Sequence, residues 1–300
     1  MTQPWLAQRE RANAAALTLL VWIALRLGRR AARAVLAPVS LYFLLFAWRA
    51  RAASRAYLRR ALGREPTLAD SYRHFYRFAT VALDRVYFLA DRWDLFDIRV
   101  HGEPVMREQI EGGRGCFLLG AHVGSFESLR ALGRRRNITV NLVMFEDNAR
   151  NVGRITRAVS PDLARDVISL GAPASMLRVV EQLDRGAWVG MLGDRALSAN
   201  GLVRVSFLGG TAALPTAPFR IAAMTGRPVI LMLGLHRGGN RYELHFEKLI
   251  DAPALPRARR DEILQAWAQQ FADRLAHYCR AAPYNWFNFY DFWVQDARGH

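Results

Sequence analysis

The sequence predicts an α/β fold: a mixed, mostly parallel sheet flanked by helices, with a membrane-associated helical segment in front of it. Three observations carry this. Short β-rich runs alternate with helical stretches from residue 97 onward. Residues 69–94 repeat their apolar side chains with a helical period. The first 60 residues combine two apolar runs with a dense set of arginines. At 300 residues, 52% hydrophobic and 23% charged, the chain is long enough for one large domain with an appendage and too apolar to be disordered.

The N-terminal element comes first. Ala14 to Leu25 and Ala34 to Trp48 are apolar, and each is shorter than the roughly 20 residues of a spanning helix. Arginines flank both: Arg9 and Arg11, then Arg26, Arg29, Arg30 and Arg33, then Arg49, Arg51 and Arg55. Residues 1–60 hold eleven Arg and one acid, so they carry +10 of the net +16. A transmembrane hairpin would place the middle arginines opposite the outer ones, against the positive-inside rule. Helices lying in the interface put every cluster at one headgroup layer, which predicts a peripheral or monotopic protein drawn to anionic lipid. The first run lacks a convincing small-x-small cleavage site and a second apolar run follows at once, so it does not read as a signal peptide. These features divide the chain into a basic membrane-associated segment, 1–60, and a domain over 61–300.

Residues 69–94 read as a helix, with Tyr72, Phe75, Tyr76, Ala79, Leu83, Val86 and Tyr87 near one face. Strands are expected at 97–101, 115–121, 138–145, 166–170, 187–192, 203–208, 228–235 and 241–248. Helices are expected at 125–134, 151–159, 174–185, 216–225 and 259–279. The aromatic tail 283–293 follows the last helix; Asn285, Trp286 and Trp293 there suit either core packing or an acyl groove. The two cysteines, Cys116 and Cys279, have no metal-ligand or redox spacing and make no disulfide framework.

The stretch from Cys116 to Glu127 concentrates the chemistry. A buried strand ends at Gly120, His122 follows in the loop, and Glu127 falls in the first turn of the next helix. Loops at strand C-termini are where α/β sheets hold ligands. A carboxylate one turn along can accept the Nδ1 proton of His122 and leave Nε2 as a general base. Gly124 and Ser125 open the helix, whose N–H groups suit a developing oxyanion. Ser125 has no nucleophile elbow around it, and Cys116 sits inside the apolar strand, so neither reads as a nucleophile.

The pattern His122, four residues, Glu127 after an apolar strand resembles the signature of the glycerolipid acyltransferase superfamily. The fuller set resembles the late acyltransferases of lipid A biosynthesis: His101-Gly102-Glu103, Gly113-Arg114-Gly115, Gly120-Ala121-His122-Val123-Gly124-Ser125-Phe126-Glu127, Leu192-Gly193-Asp194-Arg195, the block from Val205 through Gly209 to Pro215-Thr216, and Thr225-Gly226-Arg227-Pro228-Val229. Ala217 stands where that family has glycine. Gly193-Asp194-Arg195 and the basic N-terminus are closer to the subgroup associated with aryl polyene clusters.

This resemblance implies transfer of an acyl chain from an acyl carrier protein to a hydroxyl of a lipid or glycolipid acceptor. It implies no cofactor, and a place on the cytoplasmic face of a bacterial inner membrane. His122 and Glu127 would be catalytic; Asp194, Arg195, Gly124, Ser125, Gly209 and Pro215 would bind substrate or oxyanion. Asp194 and Arg195 also suit a structural pair. Arg130, Arg134, Arg135 and Arg136 are candidates for docking an acidic carrier, or a solvated helix end. A lipid hydrolase, a scaffold without catalysis and a nucleic-acid binder are the rival classes. No nucleic acid is expected, because the charge lies on apolar runs rather than on an exposed polar surface.

Overall fold

In a computed structural model of the chain, residues 14–113, 115–145, 166–170, 173–195, 201–251 and 254–293 are described. The helix expected at 151–159, Arg9, Arg11 and Arg114 lie outside them. The chain divides into two compact units, one made of residues 1–84, 195–216 and 264–300, the other of 85–194 and 217–263.

The second unit carries the sheet. Its strands are β1 (Asp97–His101), β2 (Phe117–Gly120), β3 (Val140–Phe145), β4 (Val167–Leu170), β5 (Trp188–Leu192), β8 (Val229–Gly238) and β9 (Arg241–Ile250), in the order β1-β9-β8-β2-β5-β3-β4. Every pairing is parallel except β8 with β9, which form a hairpin. The expected mixed, mostly parallel sheet is therefore present. Strand β2 is buried along its whole length, as a central parallel strand covered on both faces must be. Helices α4 (Glu103–Gly112), α5 (Glu127–Arg135), α6 (Pro173–Asp184) and α7 (Ala217–Thr225) belong to this unit. Helix α4 was not expected; it is short, and Met106 is its buried residue. Cys116, Leu118, Leu129, Leu132, Trp188 and Ile230 are among the residues that fill the core.

The first unit holds α1 (Ala14–Phe46), broken at Gly28, then α2 (Trp48–Leu62) and α3 from Leu68, a helix that runs on to Leu89. It also holds the hairpin β6 (Leu202–Phe207) and β7 (Gly210–Pro215), and α8 from Leu264 to its end at Ala281. Strand β7 lies outside the expected strands, of which the one before it stops at residue 208. Leu208 and Gly209, with φ of 49° and 73°, form a two-residue turn in which both residues are left-handed, the geometry that suits hairpin twist. The aromatic tail is core: Trp286 is fully buried against Tyr57 and Phe207, and the Trp293 indole N–H donates to the Phe207 carbonyl at 2.9 Å.

Between Ala32 and Phe46, α1 is apolar on two sides. Ala32, Leu36, Ser40 and Leu44, spaced by four, are buried. Val35, Val39, Tyr42 and Phe46 are exposed on another side. No single helix among the described residues is long and apolar enough to cross a membrane. The pair Arg26–Phe46 and Trp48–Leu62, bent by 94°, passes together on length and composition alone. Not all the flanking arginines are free for headgroups: Arg29 makes a bidentate bond to buried Asp84, at 2.6 and 2.8 Å.

Candidate active site

His122 and Asp194 are brought together by strand register. Adjacent strands β2 and β5 pair Gly120 with Leu192, and the Gly193 N–H extends the ladder by donating to the Gly120 carbonyl at 2.9 Å. His122 and Asp194 each lie two residues beyond that pair. The Asp194 carboxylate receives His122 twice: Oδ1 lies 2.7 Å from Nδ1, and Oδ2 accepts the backbone N–H at 3.0 Å. A carboxylate only accepts, so Nδ1 carries the proton and Nε2 carries the lone pair. The Asp194 side chain is fully buried, while the imidazole keeps 27% of its surface exposed. The dyad is thus a solvent-reachable base on a buried anion that is hydrogen-bonded.

The carboxylate within hydrogen-bond reach of His122 Nδ1 is thus that of Asp194, where Glu127 is the expected one. Glu127 opens α5, is buried, and turns to cations: Oε1 lies 2.9 Å from Arg85 and Oε2 lies 3.3 Å from Arg130. Arg130 lies one turn along α5, which is why the carboxylate turns along the helix. Arg130 is itself buried and reaches Asp166 at 3.6 Å.

The loop between His122 and α5 is pressed onto β8. A Cβ on Gly124 would stand 1.9 Å from the Gly234 carbonyl oxygen, and its φ of 59° adds a second reason for glycine. The Ser125 N–H donates to that same carbonyl at 2.8 Å. Ser125 is buried, and its hydroxyl accepts the Ser128 N–H at 3.3 Å, a helix-capping role. The amides of Ser125, Ser128 and Leu129 are therefore engaged within the protein rather than offered to an oxyanion.

Arg195, Gly209 and Pro215 belong to the other unit. The Arg195 guanidinium donates to Asn288 Oδ1 at 2.7 Å and to the Phe287 carbonyl at 3.0 Å, and lies 5.8 Å from the Tyr290 ring. Gly209 makes the hairpin turn. Pro215 is buried at the end of β7, across from Leu202. Cys116 is fully buried in the core, and burial pushes its thiol well above the usual range, so it is not a nucleophile at neutral pH.

The four arginines considered for carrier docking are differently placed. Arg130 is buried in the Glu127 network. Arg134 reaches the Phe88 carbonyl at 2.7 Å, Arg136 reaches Glu103 at 3.1 Å, and Arg135 lies over Trp93. The last three cluster around the far end of α5, about 13 Å along the axis from its start at 1.5 Å per residue.

Across nearly its whole length, residues 9–295, the chain matches the family model for bacterial lipid A biosynthesis acyltransferases. No curated protein matches it.

Proposed function

The chain belongs to the bacterial lipid A biosynthesis acyltransferase family and is an acyltransferase of lipid biosynthesis, and we propose that it moves an acyl chain from a carrier-protein thioester to a hydroxyl of a lipid or glycolipid, with His122 as general base and Asp194 as its orienting partner. The observation that carries this reading is the 2.7 Å contact between Nδ1 and the buried Asp194 carboxylate. Nε2 removes the acceptor hydroxyl proton as the oxygen attacks the thioester carbonyl. The imidazolium so formed is stabilised by Asp194. Collapse of the tetrahedral intermediate expels the carrier thiolate, which takes the proton back. No acyl-enzyme is needed. Glu127 acts at one remove, by holding Arg85 and Arg130 and so fixing the start of α5 behind the His122 loop.

The acidic carrier is favoured over coenzyme A by the net charge of +16, which suits docking of an acidic protein. An aryl polyene-type chain is the finer reading, carried by Gly193-Asp194-Arg195. The protein works at the cytoplasmic face of the inner membrane, held there by the second apolar side of α1 and by basic residues such as Arg26, Arg30 and Arg49, which are exposed. Carrier-bound and coenzyme A-bound acyl donors, each given with a lipid extract as acceptor, test the reading by mass spectrometry. An acyl ester formed from the carrier donor supports it. Release of free fatty acid without ester would make the protein a hydrolase.

A further inference from the structure

Away from the dyad, at the edge of the sheet, three side chains converge that the acyl-transfer reading does not use. Strands β1 and β9 are parallel, and their register sets His101 beside His245 and Arg99 beside Glu243. Glu243 and His245 are two apart on β9 and so share a face. The two imidazoles stack with centroids 4.5 Å apart and planes within 9°. The Glu243 carboxylate approaches His245 Nε2 at 3.6 Å, and one ligand atom from each of the three residues lies within 4.8 Å of the others.

We propose that His101, Glu243 and His245 form a binding site for one divalent transition metal, zinc by preference. Two imidazoles and one carboxylate are the donor set that zinc takes in three-ligand sites, with a fourth position left to water. The same set is wrong for calcium and magnesium, which require mainly oxygen. Tetrahedral ligand atoms at zinc distances stand roughly 3.4 Å from one another. The stacked rings hold their lone pairs in nearly parallel planes, so binding requires the exposed His101 ring to turn out of the stack until both rings aim at one point. His101 is exposed and supplies the open side, while Glu243 and His245 are half-buried and supply the firm one.

One cation already touches the site. Arg237 Nε donates at 2.6 Å to Glu243 Oε2, the same oxygen that lies 3.6 Å from His245 Nε2, so a metal would share that oxygen with Arg237 through its second lone pair or take Oε1 after the carboxylate turns. Arg237 also fixes the carboxylate as an outer partner does, at the cost of charge repulsion that weakens the site. The structural consequence is specific: among the described residues β1 is an edge strand whose one neighbour is β9, and a metal would clip the two together at His101 and His245.

The test is zinc binding by the full-length protein in detergent, read by competition with a chromophoric chelator and by thermal melting, with zinc chloride as the probe. One zinc per chain is expected, with a rise in Tm that grows with zinc concentration. His101→Ala changes an exposed residue and should keep the fold; it should weaken binding at least about tenfold, the range for loss of a supporting contact or more. Glu243→Gln should also weaken it. His122→Ala should leave zinc affinity unchanged. The assignment is overturned if the wild type binds no zinc, if His101→Ala binds as the wild type does, or if His122→Ala abolishes binding.

Discussion

Asp194 holds both the backbone N–H and the Nδ1 of His122, so one buried carboxylate sets the position of the residue and the tautomer of its ring. Replacing Asp194 with Asn puts an amide donor opposite Nδ1. The ring then turns to the other tautomer, and Nε2 loses its lone pair. Asp194→Asn should lower kcat by about 10²-fold or more with little change in Tm. His122→Ala should lose at least about 10²-fold. Steady-state kinetics on both variants, with melting curves alongside, check this; a folded His122→Ala protein with full activity removes the mechanism.

Glu127 should behave differently. Glu127→Gln leaves Arg130 buried with one acidic partner fewer, and breaking such a network costs on the order of 3 kcal/mol. The expected result is a Tm lower by several degrees and a loss of activity that partly recovers on cooling. A Glu127→Gln protein with native Tm and an activity loss equal to that of Asp194→Asn would return the orienting role to Glu127.

The position of His122 was legible because an apolar strand followed by Gly-Ala-His is a local signal. So were the strands of the sheet, from β-rich runs bounded by turns. The partner of His122 was not legible. Asp194 lies 72 residues away, and only the pairing of Gly120 with Leu192 brings it near. Register between non-consecutive strands is a tertiary fact. Glu127 has the right spacing to reach back, but its carboxylate lies against Arg85 and Arg130. Strand β7 was missed for a local reason: Leu208 is not a residue that marks a left-handed turn.

The exposed side of α1 gives a membrane prediction. Val39→Asp and Phe46→Asp place charge at residues that are already 40% and 61% exposed, so the fold should survive. Together they should weaken binding to anionic vesicles by at least about tenfold, from lost apolar insertion and added repulsion. Vesicle flotation measures it. Equal flotation of the variant and the parent would place the anchor elsewhere.

Donor choice is tested by salt. If an acidic carrier docks by charge, its KM should rise from 50 to 300 mM salt while that of a small thioester stays nearly constant. A salt-independent carrier KM would remove the basis for charge-guided docking. The helix-end arginines of α5 need not be the residues involved.

His74 predicts acid sensitivity. Its ring is fully buried, with Nε2 2.7 Å from the Trp286 carbonyl and Nδ1 2.9 Å from the Ser54 hydroxyl. A carbonyl only accepts, so Nε2 carries the proton. Burial lowers the pKa to about 4, although the Trp286 carbonyl opposes the shift. The unfolded chain therefore binds this proton first as pH falls. The stabilisation is complete above about pH 6.5 and is lost on going down to about 4, on the order of 3 kcal/mol in all. Urea unfolding at stepped pH should show this slope in the parent and a shallower one in His74→Gln.

The unit that contains α1 is assembled from three separated stretches of the chain, 1–84, 195–216 and 264–300. During synthesis the ring of His74 waits for Trp286, and Tyr57 waits for the same side chain. The N-terminal helices therefore leave the ribosome long before their own core can close. Until then α2 and α3 have each other, through Ser54 and His74, but not the indole that fills the space beside them. Folding of this unit is then an ordered process: the helices come first, and the aromatic segment closes a core whose other half was made some two hundred residues earlier.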